Sequence, residues 1–114
     1  SPAALDEAMR DARNQGRIVM IDYSAEWCTA CKTFERDVLA SPDIQRKLDG
    51  ITVIRADVTA TNKDTTDLMR RYDVVGPPTL VFVSPRNGEE IRSARSVGDT
   101  SVADFGRKID LAIR

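Results

Sequence analysis

Cys28 and Cys31 stand three positions apart in the stretch Trp27-Cys28-Thr29-Ala30-Cys31-Lys32, and the chain has no other cysteine. Residues three apart share one face of a helix, near enough for two sulfurs to close a ring. A cysteine at a helix start also meets the positive end of the helix dipole, which favours the thiolate, the attacking form in disulfide exchange. The pair points to dithiol–disulfide redox chemistry. Its rival uses fit less well. Two cysteines supply half of a four-ligand structural zinc site, and with no histidine in the chain only carboxylates or a second chain could complete it. The loop they close is too short to staple a fold, because that stabilisation grows with loop length. The lack of histidine also removes Cys-His nucleophilic catalysis.

Three neighbours of the pair carry chemistry of their own. Asp22 interrupts the apolar run Val19-Met20-Ile21-Asp22-Tyr23-Ser24. A carboxylate there is costly to bury without a partner or a task. It is either an edge position reaching solvent or a proton acceptor under the sulfurs. Glu35 follows Cys31 by four residues and shares its helix face, either as a second acid near the sulfurs or as an ordinary solvated side chain. Trp27 is a flat lid beside the sulfurs, a packing aromatic, or both.

The elements that must position these residues follow from periodicity. Ser1 caps a helix with Pro2 at its first position, Leu5, Ala8, Met9 and Ala12 form its apolar stripe, and Gly16 ends it. Residues 18–24 read as a buried strand. A helix starts at Thr29 and runs to about Ala40. Ser41-Pro42 breaks it, and Ser41 caps a second segment with Ile44 and Leu48 facing inward. Residues 51–58 form a second strand. Asn62 caps a helix marked by Leu68, Met69 and Tyr72, and residues 74–79 break it. Residues 80–83 form a third strand, Asn87-Gly88 signals a hairpin, and residues 90–96 return with Arg92 and Arg95 on a solvated edge. Residues 101–113 close the chain as a helix that buries Val102, Phe105, Ile109 and Ala112. A strand–helix–strand crossover makes the first two strands parallel, and the hairpin adds antiparallel ones. The expected class is α/β: a mixed central sheet flanked by helices on both faces.

The 114 residues, 41% of them hydrophobic, make one domain, residues 1–114. Seventeen basic and eighteen acidic residues nearly cancel, and no basic tract suggests nucleic acid. No apolar run approaches the ~20 residues that span a bilayer, so direct membrane insertion is not expected. Ser1-Pro2 reads as a cut end, so the chain is expected to be excised from something larger.

The cysteine stretch, Asp22 six residues before its first sulfur, and Pro78-Thr79 ahead of a strand together resemble the thioredoxin fold. Asp22 to Lys32, Phe34-Glu35, the Ser41-Pro42 break, Ala56-Asp57-Val58-Thr59 and Val75-Gly76-Pro77-Pro78-Thr79 resemble one branch of it. That branch is the C-terminal periplasmic domain of the DsbD family, the transmembrane thiol:disulfide interchange reductases of Gram-negative bacteria. The likeness runs from about Ala3 to Ile113. It implies that Cys28 is the exposed, attacking sulfur and Cys31 the shielded, resolving one. Asp22 and Glu35 would be the acids that tune Cys28, and Pro78 a cis-proline facing the disulfide. Trp27, Pro77, Pro78 and Thr79 would meet the bound partner. It implies no cofactor beyond the redox-active Cys28–Cys31 disulfide, no metal, and a monomer when isolated. The partners would be protein thiols and disulfides. Two electrons would arrive from a membrane-embedded domain of the same protein and leave to its N-terminal periplasmic domain, which serves isomerases and cytochrome maturation. Glu26 departs from the family's usual Asp before Trp, although either is a surface carboxylate.

Two other functions compete with this relay. One is a free-standing general thioredoxin, which usually carries Gly-Pro where this chain has Thr29-Ala30. The other is a binding module whose cysteines are structural or metal-linked. For the relay, the helix start is worth ~0.3–2 kcal/mol to a Cys28 thiolate. Each ionised acid at ~7 Å opposes it by roughly 2 kcal/mol at an effective dielectric of about 20. The thiol is therefore expected near or above ~8.5, the unperturbed value.

Overall fold

The computed structural model describes all 114 residues. Helix α1 spans Pro2–Asn14. The Ser1 hydroxyl accepts the Ala4 N–H, and Pro2 occupies the first turn, where its missing N–H is no loss. At the other end Gly16 takes φ +67°, and the Arg17 N–H returns to the Ala12 carbonyl at 2.8 Å. That turn delivers the chain into β1, Val19–Ser24. Next come α2, Thr29–Phe34, a π-helical turn over Glu35–Leu39, and α3, Pro42–Lys47. Strand β2, Thr52–Asp57, leads to α4, Lys63–Arg70, which starts on a reciprocal cap between Asn62 and Thr65. Strand β3 is Thr79–Val83, β4 is Ser96–Val97, and α5, Val102–Ile113, is capped by Ser101.

The sheet order is β2-β1-β3-β4. β1 runs parallel to β2 and antiparallel to β3, and β3 runs antiparallel to β4. All six residues of β1 are buried, as befits an interior strand. Alternation along it sends side chains to two cores. Val19, Ile21 and Tyr23 pack with Leu5 and Ala12 of α1 and Leu68 of α4. Met20 packs on the opposite face with Phe34, Ile44 and, from α5, Phe105 and Ile109. Phe34 and Phe105 meet edge to face at 5.1 Å, a favoured aromatic geometry. The mixed sheet with helices on both faces is the architecture expected from the sequence.

Three local expectations fail. The helix from Thr29 does not stay α-helical to Ala40. From Glu35 it widens, and the Ala40 N–H bonds the Glu35 carbonyl, five residues back, at 3.0 Å. Ser41 makes no side-chain capping bond, so Pro42 alone starts α3. The returning strand over residues 90–96 shrinks to an isolated Val83–Glu90 bridge, a 3₁₀ turn at Arg92–Ala94 and the two residues of β4. The cause lies in Arg95, which turns inward instead of lining a solvated edge. Its guanidinium bonds both oxygens of the buried Glu90 carboxylate and the carbonyls of Tyr72 and Asp73, just past the end of α4. Carbonyls at a helix end lack intrahelical donors, so a guanidinium fork there satisfies several at once.

Candidate active site

Cys28 is the N-cap of α2, one turn before Cys31, and the two sulfurs are joined in a disulfide. The Cys31 N–H points at the Cys28 sulfur, 3.1 Å away. Both cysteines are buried, Cys28 at 5% and Cys31 at 2% exposure. The exposed attacking residue implied by the resemblance is thus almost wholly covered in the oxidised pair, and both cysteines belong to the core cluster of Ala25, Val58 and Val74.

Trp27 is 62% exposed and tethered, its indole N–H donating to the Thr59 carbonyl at 3.0 Å. It is not the packing aromatic weighed from the sequence. The Thr59 hydroxyl also accepts the Glu26 N–H and bonds Asp57 at the end of β2, so one threonine holds the turn ahead of Cys28.

Asp22 is 6% exposed on an interior strand, which excludes the edge position. Its pKa is raised to about 6, chiefly by burial and further by the charge of Glu35, while the Arg55 cation opposes both. Glu35 opens the π-turn and is no free surface acid. It accepts the Ser24 hydroxyl at 3.2 Å, and its carboxylate lies 3.9 Å from the Arg55 guanidinium. Arg55 also donates to the Ser24 hydroxyl at 3.3 Å. Asp22, Ser24, Glu35 and Arg55 therefore form one charged cluster between β1, β2 and the end of α2.

Ser24 and Arg55 were not among the residues singled out from the sequence. Ser24 had a signal, since it lies two residues past Asp22 and strand alternation puts both on one face. Arg55 had none, because its place opposite Asp22 depends on the β1–β2 register, which pairs those two residues. The cluster sets opposite expectations for two variants. Arg55→Gln should move the Asp22 titration above about 6, and Glu35→Gln should move it below. Carbon-detected NMR of the Asp22 carboxyl across pH reads both, and shifts of the same sign would refute this account of the cluster.

The Pro77–Pro78 peptide bond is cis. The Pro78 carbonyl accepts the Gly98 N–H at 3.0 Å, which ties this loop to the residue after β4. Thr79 is 1% exposed, and its hydroxyl donates to the Gly76 carbonyl at 2.7 Å. Its side chain braces the loop and offers nothing to a partner. Val75, fully exposed at 99%, and Trp27 are the large exposed apolar side chains on the segments leading to Pro77 and Cys28.

Known proteins resemble this chain in sequence and fold. A family model described as thioredoxin-like matches residues 2–85. The thiol:disulfide interchange protein DsbD 2 of Pseudomonas aeruginosa is 40% identical over 104 residues, 91% of this chain and 18% of that protein. DsbD of Cronobacter sakazakii is 37% identical over 110 residues, 96% of this chain and 19% of that protein. The chain thus spans 18–19% of the length of these relatives. The crystal structure of the oxidised C-terminal domain of Neisseria meningitidis DsbD superposes with a TM-score of 0.87 at 26% identity, covering 98% of this chain and 96% of that one. A thioredoxin of Thermus thermophilus gives 0.78 at 32% identity, over 92% and 80% of the two chains. The chain belongs to the thioredoxin-like family, and over nearly its whole length it is similar to the C-terminal domain of DsbD proteins.

Proposed function

We propose that the chain is a protein-disulfide reductase domain that relays two electrons within a DsbD-type protein. The observation that carries this reading is the Cys28–Cys31 disulfide at the start of α2, just after the strand that carries the buried acid Asp22. In the reductive direction, the Cys28 thiolate attacks a partner disulfide, forms a mixed disulfide and expels one partner thiolate. Cys31 then gives up its proton and attacks the Cys28 sulfur. The Cys28–Cys31 bond closes, the second partner thiol leaves, and two electrons have passed to the partner. Asp22 accepts the Cys31 proton, directly or through water, and Glu35 tunes that acid. Trp27, Pro77 and Pro78 bound the surface that the partner meets, with Thr79 as a brace.

In this reading residues 1–114 are one domain of a larger inner-membrane protein, facing the periplasm. Its donor is a membrane-embedded domain and its acceptor an N-terminal periplasmic domain, with cytochrome maturation downstream. No helix of this chain is long and apolar enough to cross a membrane. Stopped-flow mixing of the reduced domain with the oxidised N-terminal domain of a DsbD protein, and separately with insulin, tests the relay. Faster transfer to the domain partner is expected. Efficient insulin reduction with no transfer to that domain would instead mark a general thioredoxin.

A further inference from the structure

Arg10, Arg13, Arg17 and Arg71 line one cavity of about 220 Å³. It lies away from the disulfide. Val19, the first residue of β1, and Val83, the last of antiparallel β3, both line it, whereas β1 leads to Cys28 from its other end. The five residue steps from Val19 to Ser24 correspond to roughly 17 Å. Arg10 and Arg13 share a face of α1. The Gly16 turn then brings Arg17 back against the same opening.

The charges there do not balance. Asp6 is the one acid of the lining, and Arg71 bonds both its oxygens. Four guanidinium groups against one carboxylate leave three positive charges. Arg10, Arg13 and Arg17 take part in none of the chain's ion pairs. Arg17 bridges this cavity and a second one lined by Leu48 and Ile51, with its Nε buried and without a hydrogen-bond partner between them. Arg13 is held at the rim by a 3.4 Å hydrogen bond to the Arg86 carbonyl.

We propose that this cavity binds a phosphate group. A tetrahedral oxyanion offers acceptors in several directions, so several guanidinium forks can bind it together, which a single planar carboxylate does not allow. Arg10, Arg13 and Arg17 are the uncompensated cations of the lining that it would neutralise. The phosphate belongs either to a soluble ester or to an anionic lipid headgroup, since both present the same oxygens.

The test uses the oxidised chain, residues 1–114. Inorganic phosphate is titrated at constant ionic strength against chloride, and NMR follows the arginine Nε–H signals and the backbone amides of Val19 and Gly88. In parallel, the protein is sedimented with phosphatidylcholine vesicles with and without phosphatidylglycerol. Saturable shifts centred on Arg10, Arg13 and Arg17 are expected. Binding should weaken about tenfold or more in the Arg10→Gln/Arg13→Gln double variant, the loss expected when charge-assisted hydrogen bonds are removed. Disulfide exchange should be unchanged in that variant, because the cavity is at the other end of the sheet. Saturation by phosphate without vesicle binding identifies a soluble ester. Phosphatidylglycerol-dependent sedimentation that the double variant loses identifies a lipid headgroup. Unsaturable shifts spread over all basic side chains without vesicle binding, or binding of either kind that the double variant retains, would overturn the proposal.

Discussion

Cys28→Ala is expected to abolish disulfide exchange, with turnover of a protein disulfide falling roughly 10⁴-fold or more, as when the nucleophile of a covalent mechanism is removed. Cys31→Ala should fail differently. Its Cys28 can still attack once, but nothing resolves the product, so a one-to-one mixed disulfide should accumulate and show by mass until dithiothreitol releases it. The assignment of the two roles rests on position rather than exposure, since both cysteines are almost fully covered in the oxidised pair. Cys28 sits at the N-cap, with the Cys31 N–H already aimed at its sulfur. A thiolate there finds a donor in place, while Cys31 lies one turn inside the helix. If Cys28→Ala, and not Cys31→Ala, trapped the adduct, the roles would be reversed.

How far the sequence could lead was decided by the range of the interactions involved. The cysteine pair, its strand and its helix were legible because each rests on signals within a few residues: the apolar run of β1, the i,i+3 spacing of Cys28 and Cys31, the cap at Asn62. The two faces of Asp22 could not be separated that way. Whether β1 is an edge depends on β3 folding back onto it, which pairs Asp22 with Leu80 across 58 positions of chain. Arg55 was invisible for the same reason, because only the β1–β2 register places it across from Asp22. The short β4 came from a side chain that found a better partner than water. Arg95 reads as a surface cation until the carbonyls past α4 and the buried Glu90 are placed beside it. The π-turn left no trace in the apolar spacing, yet it begins at Glu35, the acid that meets Ser24 and Arg55.

Asp22→Asn should stabilise the folded protein at neutral pH while slowing its chemistry. The folded state holds the Asp22 proton up to about pH 6, whereas the unfolded chain releases it near the ordinary value of 3.8. The native state therefore binds more protons between those values, and stability falls as pH rises through the window. This acid-favoured stabilisation is complete below about pH 4 and gone above about pH 7. A pKa that rises from 3.8 to about 6 on folding corresponds to about 3 kcal/mol of linkage. Asparagine carries no charge to desolvate, so the variant should be more stable than the parent by about 2–3 kcal/mol above pH 7, or roughly 10 °C in Tm. The two proteins should converge below pH 4. Denaturant melts at pH 3.5, 5, 6 and 8 would trace the difference opening between the two pKa values. The same substitution removes the acceptor for the Cys31 proton, so release of a preformed mixed disulfide should slow by roughly 10²-fold at pH 7. In the parent that rate should climb through about pH 6 as Asp22 ionises, and in the variant this rise should vanish. A gain in stability with an unchanged resolution profile would make Asp22 a buried charge with no part in the proton transfer. A loss of stability at pH 8 would mean that its carboxylate is compensated by Arg55 more fully than its burial is felt.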